Sequence, residues 1–376
     1  MLVVVQARGE PSSSERSDSE KFVAVVAFED EDEDDPLPPK IPEIPFPQRH
    51  IPATYPYSPM SESLPPHITR RHMLKTTSIA VAATGALGIA GLASKAKNPA
   101  VTKGRIKQSI VDWCFTNCGD KWDIEKLCQV ATELGCPSVE LGPVSNYPVL
   151  KKYGLQCAIS SINMAPDAPF KKGFNNPEHW PRVFKATTDA IDAAADFGCP
   201  SVIAFTGYAA TNPDDPKSPV ISREQGAKNC VEGFRKIVGH AESKNVTICL
   251  ELLNTRDHTH PMKGHPGYQG DHMAYCIDII KQVDSPRLKL LFDIYHVQIM
   301  DGDIIRHLRE QKDYIGHIHT AGNPGRGELD NKQEINYPPI MDTLLEIGYT
   351  GHVGQEFIPT RDPYQGLREA ITLCDV

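Results

Sequence analysis

Four apolar segments in the C-terminal half of the chain each end in a residue that can ligate a metal or carry a proton. Glu251 closes VTICLEL (246–252), Asp293 closes LKLLFD (288–293), His319 closes IGHIHT (315–320) and Glu356 closes HVGQEF (352–357). Taken singly, each has an ordinary explanation. A carboxylate at a strand end is usually a salt-bridge partner, and a lone His in an apolar strand is usually a hydrogen-bonded core residue. Taken together they do not, because three carboxylates brought onto neighbouring strands repel unless a positive charge lies between them. A divalent cation is the economical solution. A set of mostly oxygen ligands with one imidazole suits Mn²⁺ or Mg²⁺, with Zn²⁺, Co²⁺ and Fe²⁺ as alternatives.

Residues 26 to 42 positions apart converge only if the fold gathers strand ends on one face. A parallel barrel does so, since all its C-terminal strand ends open on the same side. From Lys97 to Val376 the chain has room for the ~250 residues of a (β/α)8 barrel. Eight apolar runs are candidate strands: 107–114, 138–142, 155–162, 200–206, 246–252, 288–293, 315–320 and 352–357. Their near-continuous apolarity predicts strands covered on both faces. Amphipathic stretches at 123–135, 179–198 and 222–243 lie between them, with Gly135 placed as a C-cap and Ser222 as an N-cap. The junctions ELGCPSVEL and DFGCPSVIA echo one another as helix–Gly–Cys–Pro–strand. A doubly wound open sheet would carry G-x-G-x-x-G after its first strand, and none follows Trp113. GNPGRG (322–327) has the wrong glycine spacing for that loop.

The segments LLFDIYHVQIMDGD, IGHIHTAGNPGRGELD with QEINYPPI, and GYTGHVGQEFIP resemble hydroxypyruvate isomerases. Those belong to the xylose isomerase-like TIM-barrel superfamily, with ketose 3-epimerases, inosose dehydratases and endonuclease IV. The resemblance is closest over about residues 246–360 and looser before that. It implies that Glu251, Asp293, His319 and Glu356 hold one divalent metal and that Glu251 and Glu356 exchange protons with substrate. It also implies substrate contacts for His296 and Arg326, the latter by a two-pronged guanidinium. Its structural alternative is that Arg326 pairs with Glu328, Asp330 or Glu334. Glu140 and Asn254 also sit near strand ends, Glu140 as a structural or supporting carboxylate. His258, His260, His265 and His272 fall in a long polar loop that fits a lid or a subunit contact. One departure concerns His319, because hydroxypyruvate isomerases carry Gln there and the 3-epimerases carry His.

The function these residues imply is a metal-dependent isomerase of hydroxypyruvate or a small sugar, working through an enediolate with two glutamates as acid and base. A ketose 3-epimerase or an inosose dehydratase-like lyase uses the same layout. A sugar-binding barrel without turnover is a third reading, against which the intact glutamate pair argues. The expected partner is a small α-hydroxycarbonyl compound or sugar, and a homo-oligomer is compatible with the chain. A net charge of −9 disfavours nucleic acid. The ten cysteines show no C-x-x-C pairing and read as buried reduced thiols.

The N-terminal region has a different character. Glu29 to Asp35 is an unbroken acidic run, followed by a proline-rich stretch, so residues 1–59 read as an unfolded extension. Residues 60–96 resemble a twin-arginine signal. Arg70 and Arg71 precede an apolar, Gly/Ala-rich segment from about Ile79 to Leu92, too short for a comfortable membrane span of ~20 residues. Met60 opens this segment as a normal signal start would, which leaves 1–59 as an upstream stretch outside the translated product. The expectation is cleavage near Ala93 or Ala96 and Tat-dependent export to the periplasm, with the barrel at 97–376. Replacing Arg70→Lys together with Arg71→Lys is therefore predicted to strand precursor in the cytoplasmic fraction. Equal export of the double variant would remove the assignment.

Overall fold

The apolar runs become strands because each is covered on both sides. The computed structural model describes residues 99–376 apart from 216, 257, 258 and 260–263; the extension at 1–59 and the signal read at 60–96 lie outside the described residues. The strands are β1 (Lys107–Val111), β2 (Ser138–Glu140), β3 (Ser201–Ala204), β4 (Thr247–Glu251), β5 (Leu288–Asp293), β6 (Ile315–Thr320) and β7 (His352–Gln355). All pair in parallel, in the order β2-β1-β7-β6-β5-β4-β3. The helices are α1 (Asp112–Thr116), α2 (Ile124–Leu134), α3 (Tyr147–Lys152), α4 (Trp180–Phe197) and α5 (Arg223–Lys244). They continue as α6 (Met273–Val283), α7 (Ile294–Met300), α8 (Ile304–Glu310), α9 (Tyr337–Glu346) and α10 (Pro363–Cys374).

The eighth expected strand, at 155–162, is the correction. It forms no regular strand among the described residues, yet it bonds to both open edges of the sheet. Val139 N–H and Leu141 N–H donate to the carbonyls of Gln156 and Ile159 on the β2 side. On the β3 side Ser160 N–H donates to Ser201 and Ser160 accepts from Ile203 N–H. The sheet is thus seven parallel strands curled round, with an irregular segment bonded to both of its edges. Side chains of this segment also make bonds of their own. Cys157 Sγ–H donates to the Ile159 carbonyl at 3.3 Å, and Ser160 Oγ accepts from Tyr147 Oη–H at 2.7 Å.

The helices end where their sequence says they should. The Asp123 carboxylate accepts from Lys126 N–H at 2.7 Å and starts α2, while Ser222 Oγ accepts from Gln225 N–H at 3.1 Å and starts α5. The repeated Gly-Cys-Pro junction is one structural device used twice. Gly135 and Gly198 take φ of 85° and 88°, and Cys136 N–H and Cys199 N–H reach back to the carbonyls of Ala131 and Ala194. That left-handed turn closes the helix and aims the next strand into the barrel. All ten cysteines are free thiols, nine buried and Cys118 half-buried, as expected of small hydrophobes. Among the described residues no helix is long and apolar enough to cross a membrane.

One buried bond pins the strand that carries His319. The Tyr337 hydroxyl on α9 donates to the Ala321 carbonyl at 2.6 Å and accepts from Ala321 N–H at 3.0 Å, just past the end of β6. Tyr337→Phe leaves both backbone groups without this partner, so we expect a loss of about 1–3 kcal/mol in urea unfolding. An unchanged midpoint would show that water or a neighbour replaces the hydroxyl.

Candidate metal centre and active site

Parallel strands deliver the four ligand-type residues to one end of the barrel. Glu251 and Asp293 are the last residues of β4 and β5, His319 is next to last in β6, and Glu356 follows β7 directly. One ligand atom from each lies within 4.8 Å of all the others, and all four residues are buried. The register places Asp293 beside His319 and His319 beside Gly354, so the neighbours meet across the ladder. Another cleft opens between the N-terminal strand ends, lined by Ser201, Thr247, Ile315 and His352. Chemistry belongs at the C-terminal end, where titratable side chains converge with unpartnered atoms.

The electrostatics of this cage are severe. Burial pushes the Glu251 carboxyl above its usual range. It also raises Asp293 to about 7, against the pull of Arg326. Burial acts on Glu356 in the same sense, but Arg326 and His319 outweigh it and hold that carboxyl at about 2. His319 is drawn down by burial and lifted well above the usual imidazole range by Glu356, Glu140 and Glu251. Arg326 is the fixed cation. Its Nη2 donates to Glu356 Oε2 at 2.6 Å and to Asp293 Oδ2 at 3.3 Å. Its guanidinium lies 5.7 Å from the ring centres of both Trp113 and Tyr295. The sequence alternative that Arg326 pairs with acids of its own loop is replaced by this arrangement.

Two buried atoms mark where a further positive charge belongs. Glu251 Oε1 and His319 Nδ1 have no hydrogen-bond partner among the described residues. His319 Nδ1 sits 2.7 Å from Glu356 Oε2 and 3.8 Å from Glu251 Oε1, close in distance but outside hydrogen-bond geometry for its ring N–H. Donor atoms that crowd together without bonding one another suit a shared cation. Three carboxylates and one imidazole fit a small divalent ion with hard-ligand preference.

His296, in the first turn of α7, joins the same cluster. Asp293 Oδ1 caps that turn, accepting from Tyr295 N–H at 2.8 Å. The His296 ring lies between two donors, the Asn254 backbone nitrogen 3.0 Å from Nδ1 and Arg326 Nη1 3.0 Å from Nε2, and Nε2 is 3.6 Å from Asp293 Oδ2. Burial and the Arg326 charge hold the His296 pKa well below its usual value, so the ring is neutral. His265 from the loop after β4 is buried 5.9 Å from His296 and 4.3 Å from Phe170, centre to centre. His272 instead faces Asp301 at 2.9 Å, away from this group, and His258 and His260 lie outside the described residues.

GNPGRG, which the sequence dismissed as a phosphate loop, is the device that places Arg326. Gly322 N–H donates to the Gly327 carbonyl at 2.8 Å, and Arg326 itself takes a left-handed φ of 54°. A Cβ on Gly322 would stand 2.2 Å from the Glu328 carbonyl oxygen, so only glycine lets the two arms of the loop close. Sequence reasoning missed His317, Trp113 and Tyr295. His317 was detectable, since residues i and i+2 of a strand share a face and His319 was already singled out.

Asp293 stands among the four side chains that could hold a cation. Asp293→Asn keeps the shape and removes a negative ligand. We expect elemental analysis after dialysis to find most of the divalent metal lost, and full occupancy in this variant would exclude Asp293 as a ligand.

Known proteins agree with this architecture. The hydroxypyruvate isomerase of Escherichia coli is 31% identical over 153 residues, covering 40% of this chain and 56% of that one. The 2-oxo-tetronate isomerase of Cupriavidus necator is 38% identical over 131 residues, covering 34% and 46%. The chain spans about half the length of the curated relatives it matches. Among solved structures, an AP endonuclease of family 2 from Brucella melitensis aligns with TM-score 0.59 at 25% identity, over 70% of this chain and 97% of that one. The 3-keto-D-glucoside 4-epimerase of Escherichia coli aligns with TM-score 0.58 at 19% identity, over 72% and 99%, a likeness of fold alone. The profile of the xylose isomerase-like TIM barrel matches residues 128–374, and the chain belongs to that family.

Proposed function

We propose that this chain is a divalent-metal-dependent isomerase of small α-hydroxycarbonyl compounds, of the hydroxypyruvate or short-sugar class. The observation that carries the reading is the pair of buried glutamates, Glu251 and Glu356, brought from β4 and β7 onto one cage with Asp293 and His319. The sequence likeness to hydroxypyruvate and 2-oxo-tetronate isomerases supports it. Held by these four residues, a divalent ion, Mn²⁺ or Mg²⁺ by donor type, supplies positive charge to the oxygen that becomes anionic as the substrate loses a proton.

The chain's own groups then divide the proton work. Glu251 Oε1 has no competing hydrogen bond, so its lone pair is available to take a proton from the carbon beside the carbonyl. Glu356 is held by Arg326 at 2.6 Å and keeps its charge, which suits it to hold the cation and to accept a substrate hydroxyl proton that it can then hand on. The neutral His296 and the buried Arg326 line the cage where substrate oxygens would sit, and burial excludes water that would quench the anion. Return of the proton to the adjacent carbon gives isomerisation; return to the same carbon from its other face gives epimerisation. A 3-epimerase is the second reading, favoured by the imidazole at position 319, where the resemblance puts Gln in hydroxypyruvate isomerases. The Arg70-Arg71 segment extends the proposal to an enzyme exported by the Tat route.

The test is solvent exchange. Incubated in D₂O with Mn²⁺ and a panel of α-hydroxycarbonyl compounds, the protein should place deuterium on the carbon beside the carbonyl of the compound it converts. Glu251→Gln should lower turnover by ~10²–10⁴. Conversion with full retention of substrate label, a large isotope effect and near wild-type rates in Glu251→Gln would instead establish a hydride shift and overturn the two-glutamate scheme.

A further inference from the structure

A second buried cluster lies against the first. Glu140, at the end of β2, is 1% exposed, and its Oε1 accepts from His317 Nε2 at 2.9 Å and from His319 Nε2 at 3.0 Å. Strand order makes this contact unusual. Between β2 and β6 stand β1 and β7, so the carboxylate crosses the barrel interior to reach the imidazoles. It can do so because β7 carries no side chain where it passes. A Cβ on Gly354 would stand 2.1 Å from Glu140 Oε1 and 2.8 Å from His319 Cδ2.

We infer that Glu140 is a positioning residue for the metal centre, setting the tautomer and the ring plane of His319. The inference rests on the metal-centre reading above. A carboxylate oxygen that takes two hydrogen bonds can only accept, so both facing Nε2 atoms carry hydrogens. His319 is then left to coordinate through Nδ1, the atom that faces Glu251 and Glu356, once a bound cation displaces the proton there. The His317 ring packs edge-on against His319, 4.9 Å between centres at 89°, and shares the same acceptor, which fixes the ring plane as well. Without Glu140 the imidazole can rotate or present its hydrogen to the cage, and either change removes a ligand. The alternative use of the same three side chains is a second cation between Glu140, His317 and His319, whose donor atoms also lie within 4.8 Å of one another. The structure favours positioning, because both N···O separations are those of ordinary hydrogen bonds.

The experiment is Mn²⁺ titration by calorimetry on the full chain after chelator treatment, with the Co²⁺-loaded visible spectrum as a second readout. Wild type should bind one ion. Glu140→Gln, close to isosteric, should bind it ~10–100-fold more weakly, the range for loss of a partner that orients a metal-bound His. Its Co²⁺ spectrum at saturation should shift while the circular dichroism of the metal-free chain stays as in wild type. Gly354→Ala should weaken binding in the same direction by blocking the carboxylate's path; if it does not fold, Glu140→Gln decides alone. Equal affinity and an unchanged Co²⁺ spectrum in Glu140→Gln, with one ion in wild type, overturns the inference and leaves the metal centre standing. Absence of any binding in wild type overturns the metal centre itself. Two ions in wild type, with one lost in Glu140→Gln, would make Glu140 a ligand and overturn its positioning role.

Discussion

Three carboxylates buried within a few ångströms of one another are the constraint around which this molecule is arranged. Taken from water into a protein interior, ionised acids cost several kcal/mol each unless opposite charge and hydrogen bonds compensate. Glu251, Asp293 and Glu356 are all buried, and the cations facing them from the chain are Arg326 and the imidazole of His319. A site built in this way is destabilising by itself and is held by the rest of the barrel. That cost supports the proposed function, because a stability-driven core would fill the same space with apolar side chains.

The compensation is delivered by irregular backbone on a regular frame. Strands bring the acids and His319 to the C-terminal end, but Arg326 comes from a loop whose arms close through Gly322 and whose backbone is left-handed at the arginine. The loop is bonded at both ends, to Ile358 N–H through the Arg326 carbonyl and to the Gly327 carbonyl through Gly322 N–H. The Trp113 and Tyr295 rings then flank the guanidinium. A guanidinium fixed this firmly keeps its orientation, and under the proposed function that leaves little reorganisation for the reaction.

Support also comes from below the cage. Glu140 reaches through the barrel to two imidazoles, and burial of that carboxylate is outweighed by the imidazoles, which hold its pKa well below the usual range. The site is therefore two layers deep. The upper layer holds the four candidate ligands, and the lower layer bonds to one of them. Tyr337 plays a parallel part in the backbone, tying α9 to the residue after β6. These contacts explain why His319, the imidazole nearest the carboxylates, is also the most heavily braced.

Much of this was legible in the residues alone. Buried parallel strands must be apolar throughout, so their positions showed directly, and a charged residue at the end of each stood out against that background. The four ligand-type residues, the Gly135 and Gly198 caps and the Ser222 cap all follow from local rules of this kind. What sequence could not decide were the events that depend on distance across the barrel. The segment at 155–162 looked like a strand, and the structure gives it only isolated bridges to β2 and β3. Arg326 looked equally able to pair with acids of its loop, and only the folded loop turned it towards Glu356 and Asp293. Glu140 and His319 are far apart in the chain and on non-adjacent strands, and what joins them is the missing side chain of Gly354. Apolarity and capping act over a few residues and leave marks in the sequence. Charge pairing inside a barrel acts through space, and only the tertiary structure sets which charges meet.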